Sequence, residues 1–482
     1  MKTLFLFILA LMIFPLKSFS QVDVTATSGT SAATYSNLSN ALNSINNGVH
    51  QGDIVLTVNA NTVNNFLTVN SSGSGAASYS SIRIKPGAVG PIIIENLNNT
   101  PMFWLNGVDN LTIDGTMPGG LGPLTFRNTN FTPGYAVLHL YNDAQNDTIR
   151  NCFIQSNAGY CIAITNPATA GGNKNIVISG NDIGNVSGSA FPQYGLFSTF
   201  SSDSITVSEN YFHDILLQGN STGSVYLNGS GAANWKIKDN HIYYSLPFAP
   251  TGTTQIYGIH TMGISNTCEI TGNVIGYSDT TKTSPANISS SNNISFTGIM
   301  SVATQYGTTI KNNIIDGFDF TTGIFSGAAP GSWCGISFIT VYDSYIDSNR
   351  IGKTSGSSGI KITHNAGFGT ATGMHFTNGG GNTYVRNNSI GSIELTTSVN
   401  NVITRFYALN INSSSTFHIQ NNIIGDSSAI ASPNSISVGS LTSTVHSVFA
   451  GVNVEQNVYP VMNINSNVIR NCQARTNSDS SL

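Results

Sequence analysis

Residues 268–278, CEITGNVIGYS, and residues 417–427, FHIQNNIIGDS, share a short pattern although they lie far apart in the chain. Each contains an Ile, two small or polar residues, an Asn, one free position and another Ile. The pattern returns in IVISGNDI, ITVSENYF, WKIKDNHI, TTIKNNII, SYIDSNRI, TYVRNNSI and MNINSNVI. The chain is therefore repetitive, and the repeat is the first feature to explain.

The Asn of the pattern occupies nine positions: Asn181, Asn210, Asn240, Asn273, Asn313, Asn349, Asn388, Asn422 and Asn467. An earlier copy, TIRNCFI, has Cys152 in that place. A second motif, a small residue among alternating apolar ones, precedes the Asn in YGLF, YGIH, TGIM, CGIS, TGMH and AGVN. The interval from the Asn to the next such motif grows from 14 residues (181 to 195) to 29 residues (422 to 451). One half of the repeat is thus constant, and the variable half is expected to hold loops.

Apolar and polar residues alternate within the repeats, which is the two-residue period of β-strands. Repeated strands without intervening helical patterns indicate a solenoid whose coils pair with one another. Coils about 4.8 Å apart would place the Asn side chains in one column, where each amide can donate to the next. In six of the nine copies the preceding residue tolerates a left-handed backbone, as a sharp corner requires. These residues are Gly180, Asp239, Gly272, Asn312, Asn387 and Asn421.

On these motifs, residues 50 to 475 resemble the right-handed parallel β-helix proteins, the superfamily that includes pectate lyases. The resemblance implies an all-β solenoid with an Asn ladder. The segment TYSNLSNALNSINNG has Tyr35, Leu38, Ala41, Leu42 and Ile45 at helical spacing, and it predicts an amphipathic helix over the first coil. The expected organisation is an N-terminal cap at 21–50, a β-helix at 51–475 and a tail at 476–482 that has the look of a truncated end. Further domains of a longer chain, or a partner, are expected to cover that end.

Residues 1–20 read as a secretory signal peptide, with Lys2 ahead of an apolar segment that is too short for a comfortable membrane span. Charged residues are only 8% of the chain and the net charge is −4, so nothing indicates binding to nucleic acid or insertion into membranes. Five Cys without a close pair predict neither disulfides nor a zinc site, and Cys268 falls at an inward position. In its general style the chain resembles secreted bacterial surface proteins, so an extracellular or cell-surface location is expected.

Aligning the copies on the Asn predicts one dense polar group on an outward face. Lys311, Asp347 and Arg386 should lie on consecutive coils. The column two residues earlier contributes Tyr345, Tyr384 and His418. If the protein is an enzyme, the first three are the candidate catalytic residues. The second three are candidate ligand-binding residues, and the alternative is an exposed stack of ion pairs with little effect on stability.

Other side chains offer weaker candidates. Asp343 with Asp347, and Asp316 with Asp319, could form a carboxylate pair, but Asp residues at corners are commonly turn formers. His260 and His375 occupy matching positions that are read as surface sites on separate coils, too far apart to share a metal. The three Trp residues could stack on sugars, although Trp235 falls at an inward position. No cofactor or metal is predicted, since the calcium that relatives bind would need clustered carboxylates on that face.

Two functions fit this sequence. The leading one is a secreted binding or structural module, an adhesin-like stalk or a glycan-contacting surface protein. The loops KTSPANISSSNN and PNSISVGSLTSTVH would then join the outward columns in contacting a polysaccharide or another cell-surface component. The rival is an extracellular polysaccharide lyase or glycoside hydrolase that acts across the outer sheet face, and the fold alone does not distinguish the two.

Overall fold

The structure, a computed structural model, shows a solenoid of stacked β-coils. It describes residues 21–64, 66–87, 90–96, 101–116, 124–129, 134–166, 171–186, 190–217, 219, 221–264, 266–303, 307–324, 330–339, 343–353, 359–366, 369–377, 379–398, 403–425, 436–438, 447–455 and 460–474. The expected signal peptide (1–20) and the tail (476–482) lie outside this range. In the described part, coils contribute strands to sheets A, B and C in turn, and later coils add sheet D.

Sheet A holds the strand before each ladder Asn. Its 15 described strands, in spatial order, are Ala32–Tyr35, Val22–Gly29, His50–Val58, Tyr79–Pro86, Leu111–Asp114, Thr148–Arg150, Val177–Ser179, Thr206–Ser208, Trp235–Lys238, Cys268–Thr271, Thr308–Lys311, Ser344–Asp347, Asn382–Arg386, Thr416–Gln420 and Val461–Asn465. The strand Val22–Gly29 pairs antiparallel with both of its neighbours, and from His50–Val58 onward the pairing is parallel. Two strands of the predicted cap region therefore extend the sheet itself.

Sheet B follows the ladder Asn and consists of short strands. Its 13 described strands are Thr62–Val63, Ile92–Asn96, Leu124–Asn128, Cys152–Ser156, Asp182–Gly184, Tyr211–His213, His241–Tyr243, Val274–Ile275, Ile314–Ile315, Arg350–Ile351, Ser389–Ile390, Ile423–Gly425 and Val468–Arg470. Because these strands are so short, the coil turns twice within a few residues of each Asn.

Sheet C carries the longest strands and faces away from the ladder corner. Along its main path the described strands are Leu67–Asn70, Phe103–Asn106, Ala136–Tyr141, Tyr160–Thr165, Tyr194–Ser198, Ser221–Ala233, Thr254–Ile264, Ile294–Ala303, Trp333–Ile339, Gly369–Thr377, Thr404–Asn412 and Val448–Val454. Two further strands, Asn173–Lys174 and Ser202–Asp203, join its edge. Gly258 marks a bend in one long strand, because a Cβ there would meet Ile275 across the core.

Sheet D forms in the variable half of the repeat. Its six described strands are Ala286–Ser289, Phe318–Ile324, Ile360–Ala366, Ile393–Thr397, Ile436–Val438 and Cys472–Ala474. The expectation that KTSPANISSSNN and PNSISVGSLTSTVH are loops is therefore wrong where they contain Ala286–Ser289 and Ile436–Val438, and residues 439–446 lie outside the described range. The fourth side forms because alternating apolar residues in these segments, such as Ile288 and Phe320, are buried against the core.

The Asn ladder is confirmed over all nine positions. Each Asn from Asn181 to Asn422 donates from its Nδ2 to the Oδ1 of the Asn in the next coil at 2.9–3.0 Å. The same Nδ2 also donates to a backbone carbonyl of the preceding coil, as Asn313 does to Ile270 at 2.8 Å. Cys152 lies above the ladder and donates its backbone N–H to Asn181 at 3.0 Å. Buried amides are thus satisfied along the whole column.

The corner before each Asn has a left-handed backbone. All six residues predicted from their type have positive φ. Glu209, Ser348 and Ser466, which complete the nine copies, also have φ between 55° and 57°. The geometry of the corner therefore overrides the preference of the residue that occupies it.

A single helix among the described residues, Leu38–Asn46, covers the first coils and confirms the predicted amphipathic helix. Leu38, Ala41, Leu42 and Ile45 are its buried residues. Asn37 caps it, because its side chain accepts a hydrogen bond from the Asn40 N–H at 2.8 Å. Tyr35, placed in the helix by the sequence pattern, instead ends the strand Ala32–Tyr35.

Candidate functional site

The outward face of sheet A brings together the six residues that the repeat alignment singled out. We call Lys311, Asp347, Arg386, Tyr345, Tyr384 and His418 the charged strip. The Lys311 Nζ lies 3.8 Å from Asp347 Oδ2. Tyr345 and Tyr384 stack with ring centres 5.0 Å apart, and Tyr384 stacks on His418 at 4.7 Å. The strip therefore exists as a contiguous surface, and its role in binding or catalysis stays a prediction.

The electrostatics of the strip favour a stable ion pair. Burial acts to raise the pKa of Asp347, but hydrogen bonds from Asn387 and Ser348 and the nearby cations outweigh it and lower the pKa. Asp347 is thus held as a carboxylate and is poorly placed to act as a general acid. The Arg386 guanidinium lies 4.5 Å from the centre of the Tyr384 ring and covers that ring.

Sheet C carries a second surface, which sequence reasoning missed. The strand register places one outward side chain from each coil in a column: Trp104, His139, Ala163, Phe197, Tyr226, His260, Met300, Ser337, His375, Asn410 and Asn453. Further aromatic residues flank the first half of this column. We call Trp104, His139, Tyr141, Tyr160, Tyr194, Phe197, Tyr226, Tyr257 and His260 the aromatic shelf.

The rings of the shelf stack on one another along the solenoid axis. Tyr226 lies between Tyr194 at 4.4 Å and His260 at 4.3 Å, with the rings nearly parallel in both pairs. Phe197 stacks on Tyr194 at 4.9 Å. Because the ring faces cover each other, the ring edges and the Tyr hydroxyl groups form the outer surface. Such stacks also stabilise the sheet, since each aromatic pair contributes about 0.5–1.5 kcal/mol beyond its burial.

The prediction that His260 and His375 are surface residues is wrong, because both are buried. Tyr226 and Tyr257 cover His260 from neighbouring positions. Burial lowers the pKa of His260 and of His375 to about 4, and it does the same for His139 on the shelf. Burial also raises the pKa of Tyr257 to about 12. These groups are uncharged at neutral pH.

Beyond the shelf, the same face opens into a cleft of about 330 Å³. Its walls include Gln255, Tyr257, Thr297, Met300, Ser337 and His375. The Asn410 Nδ2 donates to Glu455 at 2.7 Å and to the His375 Nδ1 at 3.0 Å. Nδ1 is therefore an acceptor, and neutral His375 carries its proton on Nε2. The cleft thus offers donors and acceptors without a formal charge on its walls.

The remaining candidates have structural surroundings. Asp316 is fully buried and accepts hydrogen bonds from the Tyr277 hydroxyl group at 2.5 Å and from the Gly317 N–H at 2.8 Å. Trp235 and Trp333 lie in the core, so only Trp104 of the three Trp residues reaches an outward face. Cys268 is buried, as its inward position predicted.

Comparison with known proteins bears on the fold. Residues 107–275 match a family described as a right-handed β-helix region. No curated protein matches the chain. Within the described residues there is no group of three or more His, Cys, Asp or Glu side chains placed to hold a metal ion. The one described helix is not a membrane span, being neither long nor apolar enough.

Proposed function

Because this chain is a right-handed parallel β-helix repeat protein, we propose that it is an extracellular binding module that holds a glycan chain along the outward face of sheet C. The observation that carries the proposal is the continuity of that face. The aromatic shelf runs from Trp104 to His260, and the cleft lined by Ser337 and His375 continues it. A leader-like segment at residues 1–20 supports export.

The shelf and the cleft combine the two properties that a glycan site needs. Small-molecule sites are concave, of about 300–1,000 Å³, and carry a few polar groups in largely apolar walls. The cleft has this size, with Met300 beside the polar side chains of Thr297 and Ser337. Coils repeat at about 4.8 Å, so a linear polymer that lies along the axis meets a similar set of groups at every coil.

The test is binding of the full chain to a glycan array, followed by titration with the best soluble ligand. Ser337→Phe fills the cleft with a ring, and we expect it to weaken binding at least about tenfold. Thr309→Phe places the same ring on the outward face of sheet A and should leave affinity unchanged. Circular dichroism melts of both variants would check that each remains folded. An array without signal for the parent protein, or equal affinity of both variants, would overturn the proposal.

The enzymatic alternative has one observation in its favour, the contact between Lys311 and Asp347 beside Arg386. A polysaccharide lyase or hydrolase on this face would release unsaturated or reducing ends from bound polymers. Incubation with the same glycans tests this directly. Product formation that disappears in Asp347→Asn but persists in Ser337→Phe would assign the chemistry to the charged strip.

A further inference from the structure

We propose that the ligand of sheet C is an uncharged glycan, one without uronic acid or sulfate groups. This inference rests on the proposed function, since it specifies the ligand of the same face. It is carried by the distribution of charge between the two long sheets, by the side chains that line the cleft and by the position of Glu455.

Charged residues are divided very unevenly between the two sheets. Along the main path of sheet C, which has twelve described strands, Arg405 is the one charged residue, and it interacts within the protein. Sheet A has twelve in its described strands: Asp23, Asp53, Arg83, Lys85, Asp114, Arg150, Lys236, Lys238, Glu269, Lys311, Asp347 and Arg386. The face with the shelf and the cleft is therefore nearly free of formal charge.

The titratable groups on sheet C do not supply charge at neutral pH. Burial keeps the pKa of His139, His260 and His375 low, at about 4. Burial also raises the pKa of the Tyr160, Tyr194, Tyr226 and Tyr257 hydroxyl groups, so these stay protonated. The face thus presents neutral donors and acceptors over a wide range of pH.

An anionic sugar would find no cation in the cleft. A carboxylate that leaves water without a positive partner loses several kcal/mol of solvation free energy. Proteins that recognise carboxylates commonly supply Arg or Lys for that reason. The charge that acts on His375 is instead the carboxylate of Glu455, held by Asn410, and it would repel an anionic ligand. A neutral glycan avoids both penalties.

Neutral sugars match the groups that the cleft does present. A sugar hydroxyl group both donates and accepts, and so do the hydroxyl groups of Tyr257, Thr297 and Ser337 and the amide of Gln255. Met300 supplies an apolar contact for the C–H groups of a sugar ring. The cleft therefore discriminates by excluding charge, since its polar groups accept any hydroxyl pattern that fits.

The test uses polymers that share a backbone and differ in charge. Two such pairs are fully methyl-esterified against de-esterified polygalacturonan, and hydroxyethyl against carboxymethyl cellulose. We expect the full chain to bind at least one neutral member, at least about tenfold more tightly than its acidic counterpart. Affinity for the neutral member should stay constant between low and high salt, because no ion pair forms.

A charge-insertion variant sharpens the test. Gln255 is exposed and lines the cleft, so Gln255→Lys should strengthen binding of the acidic member several-fold and make it depend on salt. Thr309→Lys adds the same charge to sheet A and should leave the preference unchanged. Equal or tighter binding of the acidic member by the parent protein would overturn this inference and leave the glycan-binding proposal standing. Binding of neither member, together with a silent array, would overturn both.

Discussion

Sheets A and C are built from the same coils and run side by side, but their outward faces satisfy polar groups in different ways. On sheet A, charges pair between coils, as Arg83 and Arg150 do with Asp114 at 2.9 and 2.7 Å. On sheet C, rings stack between coils, as Tyr194, Tyr226 and His260 do at 4.3–4.4 Å. A solenoid presents each outward position once per coil, so side chains of one kind readily form a column.

The difference teaches where a ligand gains most. Pairs on sheet A already neutralise each other, and Arg83, Arg150 and Lys311 are about half exposed, so water and salt screen them. Sheet C leaves hydroxyl groups and ring edges at its surface and has a cleft. Sheet A is thus electrostatically self-contained, whereas sheet C has unspent hydrogen-bonding capacity.

The largest expected effect comes from the ladder that both faces share. Asn313→Leu removes the acceptor for Asn273 and the donor to Ile270, and each orphaned buried group costs about 1–3 kcal/mol. We expect a loss of about 3–5 kcal/mol in the free energy of unfolding, measured by denaturant titration. Asn287→Leu, on an exposed side of sheet D, is the control and should change it by less than about 0.5 kcal/mol. An unchanged midpoint for Asn313→Leu would contradict the ladder assignment.

The second prediction compares one aromatic residue from each face. Tyr226→Ala removes a ring that is stacked on both sides, and it should lower the free energy of unfolding by about 2–3 kcal/mol. Tyr345→Ala removes a ring that is 46% exposed and stacked on one described side, so a loss below about 1 kcal/mol is expected. Thermal melts of the pair decide the matter. Equal losses would erase the distinction between the two faces.

The third prediction concerns a carboxyl on the inward side of sheet A. Asp147 lies between Leu111 and Ile176 in register, is fully buried, and has an Oδ2 without a hydrogen-bond partner among the described residues. Burial raises the pKa of Asp147 well above its usual value, despite the hydrogen bond from the Leu111 N–H. Stability from this raised pKa is complete at low pH and is lost as pH rises from about 4 through the folded-state pKa.

Asp147→Asn should therefore raise the free energy of unfolding by about 1–3 kcal/mol at pH 8. The gain over the parent protein should vanish near pH 4, where Asp147 is protonated in both states. Denaturant titrations at several pH values measure the difference. A gain that grows towards low pH would show that the sign is wrong.

The smallest effect is expected from the charged strip. Lys311→Met removes the ion pair with Asp347, a pair whose members are 46% and 27% exposed. We expect a loss of about 0–1 kcal/mol, which should shrink further at high salt. Titrations at two salt concentrations measure it. A loss above about 2 kcal/mol that persists in salt would show that sheet A depends on its charges far more than its exposure implies.

Much of the architecture could be predicted because the repeat is local. Ile270 and Asn273 lie three residues apart, and their kind recurs in every coil, so core and ladder follow from one motif. The charged strip followed from the same alignment. Sheet D could not be predicted, because its strands lie where the spacing between copies varies, and variable spacing is also typical of loops. Glu209 gave no sign of its left-handed backbone, which the corner imposes.

The aromatic shelf escaped prediction for a different reason. Alternation breaks near Gly258, where a bend turns Ile259 inward directly after an inward glycine. Counting by twos from the ladder Asn therefore loses track of sheet C. The buried state of His260 and His375 depends on neighbours one coil away, and no property of the short motifs YGIH and TGMH reports it.

The ladder continues without interruption while the cross-section changes from three sides to four. Consecutive ladder residues are 29 positions apart at Asn181 and 45 apart at Asn422, yet the amide contacts have the same length. The column thus works as a fixed spine that tolerates growth on the far side of each coil. Segments inserted after sheet B should leave sheets A and C aligned, which makes that edge the natural place to graft foreign peptides onto the molecule.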